Sequence, residues 1–181
     1  MNIPNLISLG RLAAVPVAVW LILNGRYDWA FWLFIAAGIS DAVDGLIAKQ
    51  FNAETEVGKF LDPLADKALL VSVYISLGHT SLLPMWLVIL VVSRDVMILA
   101  GALLGLILME RYKLNPSLTS KINTTAQIML AALVLAKLGI GFKDYDSVGV
   151  MIYVVATTTL ISGVIYAGNW LRQTTDMEDT R

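Results

Sequence analysis

Ser40-Asp41-Ala42-Val43-Asp44-Gly45-Leu46-Ile47-Ala48-Lys49 and Gly58-Lys59-Phe60-Leu61-Asp62-Pro63-Leu64-Ala65-Asp66-Lys67 each place two aspartates within one turn of an apolar run. Both are apolar apart from Ser40, their acids and their lysines. The i, i+3 spacing of Asp41 and Asp44 and the i, i+4 spacing of Asp62 and Asp66 put each pair on one helical face, a turn apart. A polar link, Gln50 to Val57, joins the stretches, so the two helices are expected to be antiparallel neighbours whose four carboxylates converge.

Outward from this core the chain is strongly apolar. Of 181 residues 57% are apolar and 15% charged, outside the range of ordinary soluble domains. A helix needs roughly 20 mostly apolar residues to cross about 30 Å of hydrocarbon. Stretches of that kind fall at about residues 6–24, 28–49, 59–78, 83–109, 118–139 and 148–171. The expectation is an all-α, polytopic membrane protein: a bundle of six transmembrane helices forming a single domain over residues 1–181. Met1 to Leu6 reads as a short interfacial lead-in. The breaks have physical causes: Asn24 and Gly25, the polar link, Gly78 to Pro84, Glu110 to Pro116, and Gly139 to Asp146. Pro16 is expected to kink the first helix, and the polar tail from Thr174 to Arg181 to be mobile. Arg11 interrupts the first apolar run and no small-residue cleavage site follows, which reads as a retained helix and not a signal peptide.

Charge placement gives an orientation. Arg11, Lys49, Lys59, Lys67, Arg111, Lys113, Lys121, Arg172 and Arg181 fall on one side, and Arg26, Lys137 and Lys143 on the other. The richer side is expected to face the cytoplasm, with the protein in the inner (cell) membrane and the aspartates on the cytoplasmic side. The absence of Cys excludes disulfides and thiolate metal sites. A net charge of -1 with no basic stripe argues against nucleic acid as a partner.

Acids at membrane depth need a counter-charge. Even insertion scales assign about 2.5 to 3.5 kcal/mol to an unpaired Asp at mid-helix, and converging carboxylates also repel one another. Lys49, Lys59 and Lys67 are candidates for neutralising them. Four oxygen ligands without His or Cys also suit a hard divalent ion, Mg²⁺ or Mn²⁺. Two ions together would clamp both sides of a phosphoryl displacement. Gly45, Ala48 and Gly58 are small enough for backbone to approach a nucleotide closely, or simply for helices to pack.

Asp41, Asp44, Gly45, Ala48, Gly58, Asp62 and Asp66 resemble, at seven spaced positions, the signature of the CDP-alcohol phosphatidyltransferases. Lys49 departs from the Arg usual there, keeping the charge but losing bidentate phosphate recognition. The resemblance extends over nearly the whole chain. It implies a metal site of Asp41, Asp44, Asp62 and Asp66, with Asp66 also the general base, and CDP contacts from Asp44, Gly45, Ala48, Lys49 and Gly58. The implied reaction moves the phosphatidyl group of CDP-diacylglycerol to an alcohol and releases CMP. Membrane lipids surround the bundle in this reading, and a homodimer is implied by the family alone.

Asn2-Ile3-Pro4-Asn5-Leu6-Ile7-Ser8 with Arg11 looks like the start shared by phosphatidylglycerophosphate synthases and CMP-forming cardiolipin synthases. Ser93-Arg94-Asp95-Val96 and Ser120-Lys121-Ile122-Asn123-Thr124 look more like the cardiolipin group, since the glycerophosphate enzymes favour Arg-Glu at the first and a second Lys where Asn123 stands. Glycerol 3-phosphate is a dianion, whereas phosphatidylglycerol is a singly charged diester with a free glycerol hydroxyl and needs one fewer cation. The expected acceptor is therefore phosphatidylglycerol, with Arg94, Lys121, Asn123 and Arg11 toward its phosphate; glycerol 3-phosphate is the alternative.

Each of these residues also has a simpler reading. Arg94 and Asp95 make a local ion pair, Lys121 is a cytoplasmic-side charge, and Arg11 snorkels to the interface. His79 stands alone in an outward turn, and Trp20, Trp29, Trp32, Trp86 and Trp170 suit an interfacial belt. A divalent-cation carrier is the alternative of a different class, although the aspartates all lie near one face.

Overall fold

A computed structural model describes residues 3–51, 56–108, 118–143 and 146–178, and the side chains of residues 8–41, 64–101, 118–143 and 146–168. The described residues are all-helical: α1 (Ile3–Leu23), α2 (Tyr27–Phe51), α3 (Glu56–His79), α4 (Met85–Leu108), α5 (Leu118–Gly139) and α6 (Ser147–Glu178). All six expected helices are present, with different ends. The lead-in is drawn into α1, because a proline in the first turn gives up only an N–H that has no helical partner anyway. The helix also continues through Pro16. The expected mobile tail is instead helical as far as Glu178, since no Gly or Pro follows Gly168 to stop it.

Helix ends are set by local chemistry. Gly25 at φ 71° lets the chain leave α1 through paired bonds, Arg26 N–H to Leu21 C=O at 2.9 Å and Gly25 N–H to Ile22 C=O at 3.1 Å. The same device ends α3, where Leu82 N–H meets Leu77 C=O at 2.9 Å and Ser81 N–H meets Gly78 C=O at 3.0 Å. Here the left-handed position is held by Ser81, at φ 59°. The first of these turns is short, so α1 reverses into α2 within a few residues.

By contacts the described chain forms two compact units. The first comprises residues 1–85 and 131–145. In it α1 packs against both α2 and α3. Ala18 and Ile22 of α1, Ala30, Phe34 and Ala37 of α2, and Ala65, Leu69, Val73, Tyr74 and Leu77 of α3 are buried. The alanines allow close helix approach. Gly139, ending α5, lies against the start of α2, where a Cβ would stand 2.5 Å from the Tyr27 carbonyl oxygen.

The second unit comprises residues 86–130 and 146–181. Its buried stripes run Leu87, Val88, Val91, Arg94, Asp95 on α4, Asn123, Ala126, Gln127, Leu130 on α5, and Val155, Thr159, Ser162 on α6. Each stripe mixes apolar with polar side chains, while Ile89, Val96, Ile122, Val150, Tyr153 and Val164 point outward and are exposed. That is inverted relative to a water-soluble bundle. Among the described residues two helices, Leu118–Gly139 and Ser147–Gly168, are long and apolar enough to cross a membrane.

Candidate functional site

Ser8 and Arg11 lie one turn apart on the buried face of α1 that meets α2 and α3. Arg11 is only 3% exposed, so it does not snorkel to the interface. Its Nη1 donates to Asp41 Oδ1 at 2.5 Å and to Asp66 Oδ1. Two carboxylates from different helices therefore meet at one nitrogen. Both acids remain accessible, Asp41 at 46% and Asp66 at 43% exposure. Burial of the guanidinium makes the pairing matter more than a surface ion pair would, while the open carboxylates keep it partly screened.

This trio carries one positive and two negative charges, so it retains capacity for a further cation. The donor set is all oxygen, and the place between the carboxylates already accommodates a cationic group. Asp41 and Asp66 thus fit a hard divalent ion. Asp44 and Asp62 lie in α2 and α3, but their side chains, like those of Lys49 and Ala48, fall outside the described residues, as do the surroundings of Gly45 and Gly58. Among the described residues no three acids or imidazoles form a ready metal cluster.

A second polar cluster lies in the unit of α4, α5 and α6. Arg94, 4% exposed, donates from Nη1 to Asp95 Oδ1 at 2.7 Å, and Asp95 is 1% exposed. The local ion pair is present, yet the same arginine also donates from Nη2 to Ser120 Oγ at 2.8 Å and to Ser162 Oγ. It ties α4 to α5 and α6. One turn along α5 from Ser120, buried Asn123 accepts hydrogen bonds at Oδ1 from Thr158 and Thr159, each at 2.9 Å. Lys121, by contrast, is exposed on the outer side of α5.

Sequence reading did not single out Thr158, Thr159 or Ser162. Hydroxyls in an apolar helix ordinarily bond their own backbone, as Thr157 does to the Tyr153 carbonyl at 2.8 Å, and nothing in the sequence separates the two kinds. His79 is exposed and Trp20, Trp29, Trp32 and Trp86 are largely exposed near helix ends, while the side chain of Trp170 is outside the described residues.

The model of the CDP-alcohol phosphatidyltransferases matches residues 1–164. The CDP-diacylglycerol–glycerol-3-phosphate 3-phosphatidyltransferase 1 of Oryza sativa subsp. japonica is 36% identical over 184 residues, covering 92% of this chain and 56% of the rice protein. The probable CMP-forming cardiolipin synthase of Drosophila melanogaster is 35% identical over 185 residues, covering 93% of this chain and 58% of the fly protein. The CDP-diacylglycerol–glycerol-3-phosphate 3-phosphatidyltransferase of Bacillus subtilis is 33% identical over 188 residues, covering 93% of this chain and 95% of its own length. The chain thus spans less than two thirds of the rice and fly relatives and nearly all of the bacterial one. Matched along most of its length and carrying Asp41 and Asp66 side by side, this chain belongs to the CDP-alcohol phosphatidyltransferase family.

Proposed function

We propose that the chain is an integral membrane enzyme that transfers the phosphatidyl group of CDP-diacylglycerol to a glycerol hydroxyl of phosphatidylglycerol, making cardiolipin and releasing CMP. The observation that carries the transfer chemistry is the meeting of Asp41 and Asp66 at one nitrogen of Arg11. Such convergence is what a shared cation under a pyrophosphate requires. All six helices cross the bilayer in this reading and the aspartates face the cytoplasm of the inner membrane; the two long apolar helices and the exposed apolar faces support it. A homodimer belongs to the same reading.

Asp66 accepts the proton of the attacking hydroxyl, a role its partial exposure supports because substrate can reach it. Asp44, Gly45, Ala48, Lys49 and Gly58 hold the CDP moiety, the small residues admitting it close to the helix backbone. Asp41, Asp44, Asp62 and Asp66 would hold two Mg²⁺ or Mn²⁺ ions, which would supply charge neutralisation at the pyrophosphate. Arg11 holds the Asp41 and Asp66 carboxylates together from the buried side, where their mutual repulsion would otherwise part them.

For the acceptor, the buried Arg94 and Asn123 are the proposed contacts, and the exposed Lys121 is not one of them. Asp95 already offsets the Arg94 charge, so this buried cluster is better matched to a singly charged diester than to a dianion. Glycerol 3-phosphate is the second reading, favoured by the likeness to the rice and Bacillus glycerol-3-phosphate 3-phosphatidyltransferases. Membership in a family of transferases argues against the cation carrier. Purified protein supplied with labelled CDP-diacylglycerol and each acceptor in turn, followed by lipid separation, is the test. Cardiolipin formation dependent on Mg²⁺ or Mn²⁺ is expected; phosphatidylglycerophosphate alone would replace the acceptor, and metal flux without CMP release would overturn the enzyme.

A further inference from the structure

We infer that Thr159, assisted by Thr158, is a specificity-determining positioning residue: it fixes which end of the Asn123 amide is offered to the acceptor. This rests on the acceptor cluster proposed above. An amide side chain has two faces of opposite character, an oxygen that accepts and an NH₂ that donates, and its orientation follows from the partners around it. Asn123 is fully buried on α5, and its Oδ1 receives both threonine hydroxyls of α6 at 2.9 Å.

The two threonines are not equivalent. Thr158 has one proton and three acceptors within reach, Asn123 Oδ1, the Val154 carbonyl at 2.9 Å and the Val155 carbonyl at 3.1 Å. Thr159 is itself buried, and among the described residues its hydroxyl has Asn123 Oδ1 as its one acceptor. Were the amide reversed, Nδ2 would donate to the threonine oxygens instead, but the Thr159 proton would be left without its one acceptor in a dry interior. Thr159 therefore locks the amide with its oxygen toward α6, and Thr158 adds a shared second bond.

With the oxygen engaged, the group left to offer is Nδ2, which is buried and has no partner among the described residues. Arg94 Nε is in the same condition. Ser120, which Arg94 binds, lies three residues before Asn123 on α5, and Ser162, which it also binds, lies three residues after Thr159 on α6. The antiparallel pairing thus stacks an arginine layer one turn from an amide layer. The buried atoms of Arg94 and Asn123 left without a partner, Nε and Nδ2, are both donors, so the ligand that completes them brings acceptor oxygens. A buried N–H without a partner is unfavourable, which gives the ligand oxygen its hold. The amide donor is neutral and Arg94 is offset by Asp95, so the complementary group is a glycerol or phosphodiester oxygen and not a doubly charged phosphate.

Thr159→Val keeps shape and removes the hydroxyl, Thr159→Ser restores it, and Thr158→Val removes only the shared bond. Steady-state transfer by the purified full chain gives KM and kcat for phosphatidylglycerol, and equilibrium binding of CDP-diacylglycerol reports the donor side. Thr159→Val is expected to raise the acceptor KM by roughly fivefold to tenfold, the worth of one hydrogen bond. CDP-diacylglycerol binding and kcat stay near wild type, Thr159→Ser recovers the KM, and Thr158→Val changes it less. An unchanged KM in Thr159→Val, no rescue by Ser, or a fall in kcat together with lost donor binding overturns the positioning role. If the wild type uses glycerol 3-phosphate instead, the acceptor reading fails by itself, and the same KM shift and Ser rescue, read on that acceptor, decide the role of Thr159.

Discussion

Asp41 of α2 and Asp66 of α3 share a single hydrogen-bond donor, Nη1 of Arg11, although neither helix carries that arginine. The relationship makes α1 part of the carboxylate site. An arginine buried between two half-exposed acids ties them together and leaves both carboxyl groups partly accessible. Disturbing the acids therefore has different consequences from disturbing the arginine.

Asp66→Asn keeps size and hydrogen-bonding reach but removes the proton acceptor. Transfer is expected to fall by about 10²-fold to 10⁴-fold, the usual contribution of a general base. Binding of CDP-diacylglycerol should be partly retained, because the other carboxylates remain. CMP release and equilibrium binding on the same preparation check this, and unchanged turnover would remove Asp66 as the base.

Arg11→Gln leaves Asp41 and Asp66 facing each other without their shared cation. In chelator the variant should melt below wild type, and added Mn²⁺ should raise its melting temperature by more than it raises that of wild type. Binding to the folded state stabilises in proportion to the logarithm of ligand excess, so the larger rise reports tighter metal binding once the competing guanidinium is gone. Thermal melts followed by tryptophan fluorescence read both quantities. Equal response in the two proteins would mean that Arg11 and the metal do not share the carboxylates.

Much of this architecture was legible because long apolar runs leave few alternatives. Apolar runs this long, broken by Gly25, Gly78 and Gly139, read as helices, and on a helix acids at i, i+3 and i, i+4 share one face. Arg11 was harder to place, since a lone arginine in an apolar run fits an interfacial position as well as an internal one. Its burial depends on which face of α1 meets α2 and α3, a tertiary fact. The hydroxyl partners Ser162, Thr158 and Thr159 were hidden for the same reason: α6 offers many hydroxyls, and only packing selects those that turn inward.

Gly139→Ala tests the close approach of α5 to the start of α2. The added methyl would meet the Tyr27 carbonyl carbon at 2.7 Å and the Asp28 amide nitrogen at 2.8 Å, both backbone atoms that cannot swing aside. A loss of about 1 to 3 kcal/mol is expected from overpacking. A lowered melting temperature with the acceptor KM unchanged would bear this out; an unaltered melting temperature would show that the helices separate freely.

Ser81→Gly tests the opposite sign. Ser81 occupies the left-handed position that ends α3, at φ 59°, where an L side chain is strained by about 1 kcal/mol. Glycine there should raise the melting temperature while activity stays constant, because the turn from α3 to α4 contains none of the proposed site residues. A lower melting temperature would mean that the Ser81 side chain contributes more than its backbone strain removes.

Asp95→Asn separates the two acceptor readings by charge. In the wild-type cluster Asp95 offsets Arg94; the amide cannot, so the cluster gains a net positive charge. A dianionic acceptor gains more from that charge than a monoanionic diester does. Offered both acceptors together, the variant should therefore shift its product ratio toward phosphatidylglycerophosphate relative to wild type. Loss of a buried partner also destabilises, by about 3 to 5 kcal/mol where burial is complete, so the ratio of products is the proper readout and total yield is not. A ratio that stays fixed while both products fall would mean that the Arg94–Asp95 pair serves packing alone, and the preference for a singly charged acceptor would then have to arise from other residues.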